Sequence, residues 1–393
     1  MAGPLKGLKI LDFTTLLPGP YATMCLADMG ADVLKIVSGS RPDMAAFAPP
    51  YLDDTNLSFA TAFLGRGKRC MTLNLKDERA VKIVHQLLAD YDIVVEQFRP
   101  GVMAKLGLDY QTLKDINPAL IYCSLSGYGQ TSPLKERAGH DINYLSRSGL
   151  MSYSGRKSTG PALMGMQIAD VASGSYNTII GLLAAVVHRD ATGEGQYIDV
   201  SMTDGCIAFN VLVGCSVLAG DRAPGREEFL LNGGTLYDFY ETKDGRYLSF
   251  GGLEPQFFAA FCETIGRPEL IAGGVAPQDL DVVKKEIQEI FRSRPLDEWL
   301  EIFKKTDACV EPVLTLDEAL EDPHVKERGL IVELELPRGG TVRQLANPIK
   351  FSRTPPVYEK AGVQAGTHTR EVLQELGYSD DQINEFSEKG VFS

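Results

Sequence analysis

"LKILDFTTLLPGPYATMCLADMGADVLKIV", Leu8 to Val37, is the stretch that decides the fold. The apolar run Leu8–Phe13 has the length and character of a buried strand. Pro18 and Pro20 stand where a helix opens, and Gly30 where it closes. A second apolar run, Ala31–Val37, follows at once. Strand, helix and strand within about 30 residues form a βαβ unit, which implies a parallel sheet. The turn reads Pro-Gly-Pro rather than GxGxxG, so no nicotinamide dinucleotide is expected.

Working outward, the alternation continues. Arg69–Leu75 reads as a strand, Asp77–Tyr91 as an amphipathic helix and Asp92–Phe98 as a strand. A short helix stops at Pro118, and the strand Leu120–Gly129 runs into a glycine-rich loop. A long apolar helix follows, then a strand and turn in "GQYIDVSMTDG". This is an open α/β domain, in which ligands bind at the carboxyl ends of the strands. The texture changes from about Arg226 to Pro323. There "TLYDFYETKDGRYLSFGG" is a hairpin turning at Asp244-Gly245, and amphipathic helices such as "PLDEWLEIFKKT" follow. The expected organisation is 1–225 as the first part of a large α/β domain and 226–325 as a smaller α+β domain. The tail, 326–393, mixes short strands with the helix Thr369–Gly377.

The chain has 393 residues, enough for two or three domains, and its net charge is −13. Such an acidic surface argues against nucleic acid or an anionic membrane as the main partner, while a local basic pocket still admits an anionic small ligand. The seven cysteines are widely spaced, with no CxxC pair. They suggest neither a zinc site nor a disulfide framework, and Cys309 reads as a small buried hydrophobe. The N-terminus lacks an apolar leader, and the longest apolar run, Thr178–Val187, is short for a bilayer. A cytoplasmic protein with reduced thiols is expected.

His140, in "RAGHDINYLSRSGL", follows a glycine loop beyond a strand, where a histidine serves either as a general base or as a partner for a loop carbonyl. Asp170, in "QIADVASG", is either a helix N-cap or a carboxylate offered to a ligand, with small neighbours leaving room. Glu254, in "FGGLEPQFF", is a helix-entry carboxylate or a hydrogen-bond partner beside a site. Arg66, Lys68 and Arg69 in "GRGKR", and Arg99 in "EQFRPG", are candidate phosphate contacts. Nothing lifts His85, His188, His324 or His368 above ordinary packing. Met151, Met164 and Met166 are packing residues or an apolar surface for an acyl chain.

Together, "GLKILDFTTLLPGPYATMCLADMGADVLKI", "GRGKRCMTLNLK" and "TGEGQYIDVSMTDG" resemble the family III CoA-transferases, the CaiB/BaiF family, over nearly the whole chain. "AGHDINYLSRSG", "GGLEPQFF" and "TDACVEPVLTLDEA" resemble the α-methylacyl-CoA racemase branch, whereas "QIADVASG" reads more like the transferase loop. The resemblance implies His140 and Asp170 as the two acid/base groups, with Glu254 supporting them. It implies CoA contacts from Thr72, Leu73, Asn74, Leu75 and Arg99, and from Gly139, Asp141, Ile142, Asn143 and Tyr144 around the histidine. The racemases carry an arginine near the position of Ser38, and Arg41 is the residue that would replace it here. The implied fold is a Rossmann-like large domain built from both chain ends, to which 326–393 returns, plus the smaller α+β domain. Two such chains form an interlocked homodimer, with coenzyme A as part of the substrate and no other cofactor.

The implied reaction is racemisation of a 2-methylacyl-CoA by removal and return of the α-proton. The rival is CoA transfer between carboxylic acids, with Asp170 as nucleophile. A third reading, a CoA-binding subunit paired with a related chain, is the weakest, because His140, Asp170 and Glu254 are all present.

Overall fold

The computed structural model describes residues 3–39, 42–52, 56–336 and 339–392. The chain divides into two compact units: Met1–Ser148, Met164–Phe209 and Lys326–Ser393 make the first, Gly149–Leu163 and Asn210–Val325 the second. The second unit thus begins sixteen residues before Arg226 and also takes an excursion, 149–163, that the sequence texture did not mark.

The first unit holds a six-stranded sheet. Its strands are β1 (Lys9–Phe13), β2 (Asp32–Val37), β3 (Lys68–Thr72), β4 (Ile93–Glu96), β5 (Ile121–Ser126) and β6 (Tyr197–Ser201). They lie in the order 3-2-1-4-5-6, and every neighbouring pair is parallel. Every residue of β4 and β5 is buried, which is why these strands read as continuous apolar runs rather than alternating ones. Helix α1 (Pro18–Asp28) begins with two prolines, whose fixed φ suits a first turn. Helix α2 (Glu78–Leu87) is capped by Asp77 and buries Ala80, Ile83, Val84 and Leu87.

The core over this sheet joins Leu11, Leu34, Met71, Val94 and Tyr122 to residues from the far end of the chain, Val372, Leu373, Ile383 and Val391. The Asn74 N–H donates to the Val391 carbonyl at 2.8 Å. Residues early and late in the sequence thus share one core.

Three further helices frame the site: α3 (Asp141–Arg147), α4 (Tyr176–Thr192) and α5 (Met202–Ala208). A π-helical turn, Ala169–Ser175, leads directly into α4. By length and composition the combined helix Ala169–Thr192 is long and apolar enough to cross a membrane, longer than the run Thr178–Val187 suggested. Thr178, Ile179, Leu182 and Ala185 on it are buried inside the protein.

In the second unit, β7 (Asp238–Glu241), β8 (Tyr247–Phe250) and β9 (Val310–Pro312) form an antiparallel sheet. The hairpin turns at Asp244-Gly245 as expected, and Gly245 has φ +74°. The strand β9 was not expected. Its core is aromatic: Phe250 stacks on Phe261 at 3.8 Å, and Phe291, Trp299 and Phe303 surround them.

Candidate active site

The strand order reverses between β1 and β4, and this switch point is where an open α/β sheet leaves a crevice for ligands. Here the chain fills part of it. The Gly19 N–H of α1 donates to the Gln97 side-chain oxygen at 2.9 Å, and the Gln97 amide donates to the Thr15 carbonyl at 3.0 Å. A Cβ on Gly19 would lie 2.3 Å from Thr14 Cβ, so only glycine fits. Pro18 and Pro20 have no N–H to offer. The anion-binding start of a first Rossmann helix is thus occupied by the protein's own amide. Gln97 went unread in the sequence; its one signal is its place directly after a buried strand.

The basic residues of "GRGKR" are structural, contrary to the sequence expectation. Arg66 is 1 % exposed and grips Asp28 through two bonds of 2.8 and 2.7 Å, and it also donates to the Leu345 carbonyl. Lys68 is buried against Asp12 at 3.2 Å and donates to Thr23 and the Pro20 carbonyl. Burial pulls the Lys68 ammonium down to about 8 against the pull of Asp12. Arg69 pairs with Glu375 and Tyr91. Each is sequestered by a partner far away in sequence, so none is free for phosphate. Arg99 differs: its side chain is exposed and makes no hydrogen bond or ion pair among the described residues.

A cavity of about 140 Å³ opens at the carboxyl ends of β2 and β3, lined among others by Lys35, Ser38, Lys68, Cys70 and Thr72. Of the four residues Thr72–Leu75, Thr72 alone is among its lining. The Leu73 side chain is fully buried in the core, Asn74 is bonded to the C-terminal segment, and Leu75 packs beside that core. Arg41 lies outside the described residues.

His140 immediately precedes α3, which carries "DINYLSR". The Asn143 side chain accepts the His140 N–H at 3.0 Å, and the Asn143 N–H returns to the His140 carbonyl at 2.8 Å. This closes the helix start, and the His140 side chain is exposed to solvent. Tyr144 lies beneath, donating to the Gly139 carbonyl at 2.6 Å and set edge-on to Tyr128. A Cβ at Gly127 or Gly139 would sit 2.5 or 2.7 Å from the Tyr144 ring, which explains both glycines. Ile142 is half exposed.

Asp170 stands in the π turn, a geometry enriched at functional sites. It is not an N-cap. Its N–H donates to the Asp141 carboxylate at 3.0 Å, and its own carboxylate accepts no hydrogen bond among the described residues. The small residues near it leave room for protein rather than for a ligand. Ala169, Ser173, Gly174 and Ser175 are all buried, and the turn packs on α1 and α5. Ser175 donates to the Pro18 carbonyl at 2.7 Å, and Ser173 to the Met202 carbonyl at 2.6 Å. Burial, with the Asp141 charge added, pushes the Asp170 carboxyl up to about 6, and the nearby His140 pulls it down. The structure therefore brings His140, Asp141 and Asp170 into one electrostatic cluster.

Glu254 belongs to the second unit, where it precedes the helix Pro255–Thr264; its exposed side chain does not cap that helix. Cys309, also there, has φ +51° and is half-buried rather than a core thiol. Met164 and Met166 are exposed in the first unit, at 45 % and 56 %. Met151 is half-buried in the second unit, where its carbonyl receives Arg226. His368 accepts the Cys70 N–H at 3.0 Å, a structural role.

The sequence matches the family model for CoA-transferase family III over residues 5–369, and the chain belongs to that family. It is 35 % identical to mouse alpha-methylacyl-CoA racemase over 386 residues, covering 96 % of this chain and 95 % of that protein. It is 31 % identical to human succinyl-CoA:glutarate CoA-transferase over 396 residues, covering 99 % and 90 %. A CaiB/BaiF family protein from Brucella suis superposes with a TM-score of 0.82 at 29 % identity, over 96 % of this chain and all of that one.

Proposed function

We propose that this family III enzyme is a 2-methylacyl-CoA racemase, with His140 and Asp170 as its acid/base pair. The observation that carries the reading is the solvent-exposed His140 imidazole in the same charge cluster as the Asp170 carboxyl, which burial pushes up to about 6. Two proton carriers of different type, an imidazole and a carboxyl, suit removal of an α-proton from one face and its return on the other. Which one donates depends on the direction of inversion. The thioester carbonyl acidifies the α-hydrogen, and the enolate oxygen needs donors. The Asp170 and Val171 N–H groups are already bonded, to Asp141 and to the Gln167 carbonyl. The Asp141 and Ile142 N–H groups, beside His140, take that role. Arg99 supplies a free cation for a CoA phosphate, and Met164 and Met166 an apolar surface for the acyl chain.

The working form is a homodimer. Apolar side chains left in water support it: Ile180 and Val187 at 63 % and 70 % in the first unit, Val211 and Leu218 at 64 % and 90 % in the second.

The test is incubation with one enantiomer of a 2-methylacyl-CoA in D2O, without free acid. The expected result is deuterium gain with loss of chirality, reduced by roughly 100- to 10,000-fold in His140→Ala. Absence of exchange, together with CoA transfer from succinyl-CoA to a branched acid, would overturn the racemase and make Asp170 a nucleophile.

A further inference from the structure

We propose that Asp141 is the positioning residue for Asp170: its carboxylate holds the Asp170 backbone N–H and stands as a second negative charge beside the Asp170 carboxyl. An N–H in the opening turn of a helix has no partner within that helix. The Asp170 N–H finds its acceptor 29 residues away in sequence, in Asp141 Oδ1 at 3.0 Å. Asp141 is available for this because Asn143, not Asp141, closes the start of α3 through the His140 N–H. One bond therefore joins the two segments that carry His140 and Asp170, and the residue next to His140 fixes the backbone of Asp170.

The same carboxylate acts on the proton of Asp170. Burial raises the Asp170 carboxyl first, Asp141 raises it further, and His140 opposes both. Other titratable groups on the packed elements are Tyr144 and Arg147 on α3, Asp204 and Cys206 on α5, Tyr21, Cys25 and Asp28 on α1, Tyr197 and Asp199 on β6, and Tyr176, His188, Arg189 and Asp190 on α4. Tyr144 and Cys206 are pushed up to about 12 and about 11, mainly by burial, so both stay neutral where Asp170 titrates. Only the kinetic consequence rests on the acid–base reading of Asp170; the tether and the charge stand without it.

The test is a carboxyl ¹³C titration of the full-length protein, with Asp170 assigned by the signal lost in Asp170→Asn. The wild-type midpoint is expected at about 6. Asp141→Asn keeps an oxygen acceptor but removes the charge, and should lower that midpoint by about one pH unit. The acid limb of the α-proton exchange profile should move with it. Hydrogen exchange of the Asp170 amide should stay slow in Asp141→Asn and rise by roughly tenfold or more in Asp141→Ala. An unmoved midpoint in Asp141→Asn, or a still-protected amide in Asp141→Ala, overturns the proposal. Should Asp141→Ala fail to fold, the Asp141→Asn titration decides. A wild-type protein that exchanges no α-proton, yet shows an Asp141-dependent Asp170 midpoint, overturns the racemase and leaves this inference intact.

Discussion

Two aspartates of the first unit, Asp12 and Asp170, each have a second charge close by, and their environments are opposite. Asp12 is fully buried and receives the Thr14 N–H and hydroxyl, the Thr23 hydroxyl and the Lys68 ammonium. Burial alone would raise its carboxyl, yet Lys68, Lys35 and the two hydroxyls hold it below the ordinary range. Asp170 is half-buried, its carboxylate accepts nothing among the described residues, and its proton is held more tightly than usual. A carboxylate with every lone pair engaged is locked in its charge and contributes architecture. One that is partly desolvated and left without donors can exchange a proton near neutrality.

The largest effect that would break this contrast is on stability. Lys68→Met leaves the Asp12 charge buried and unpaired, and denaturant unfolding should show a loss of about 3–5 kcal/mol. Adding Asp12→Asn should recover part of that loss. A Lys68→Met protein as stable as wild type would mean the pair is not structural.

A middle-sized effect is expected beneath His140. Gly139→Ala places a methyl 2.7 Å from the Tyr144 ring and should cost about 1–3 kcal/mol, read as a lower unfolding midpoint. Unchanged stability would show that Tyr144 moves freely and that this loop is not pinned.

The smallest effect sharpens the comparison on the other side. The folded-state value for Asp170, about 6, lies above its ordinary 3.8. Between those values the native state binds more protons than the unfolded one, so stability from this group is lost as pH rises through 6. Asp170→Asn should therefore raise the melting temperature at pH 7.5 by no more than about 2 °C, since water screens the site. The gain should shrink as the pH falls to about 5, toward the unfolded value. A melting temperature lowered at pH 7.5 would show that the carboxylate is structural after all.

The contrast also explains what the sequence could reveal. The strands of the large sheet were legible because burial on both faces leaves apolar runs that need no partner to be recognised. The glycines of the His140 loop read only as a glycine-rich loop, whereas Gly127 and Gly139 are there because the Tyr144 ring packs against them. The basic run Arg66–Arg69 misled because the acids that claim it, Asp28, Asp12 and Glu375, lie elsewhere in the sequence. A sequence lists charges without their partners, and pairing is what separates a ligand contact from a core ion pair. The bond from Asp170 to Asp141 was hidden for the same reason. The small residues after Asp170 were read as leaving room for a ligand, but α1 and α5 fill that space.

The core shared between Leu11 and Val391 has a consequence for the order of events on the ribosome. Synthesis proceeds from the N-terminus, so all six strands of the large sheet emerge before the residues that complete their core. The larger part of the second unit, Asn210–Val325, with its own aromatic core, emerges in between. The inserted unit can thus finish folding while the unit that began first waits, its sheet edge and apolar surface uncovered, until Ile383 and Val391 have been made. A premature stop that removes only the final helix, Asp380–Glu388, and the residues after it would leave α2 and the sheet without Ile383 and Val391, and would damage the part of the protein made earliest.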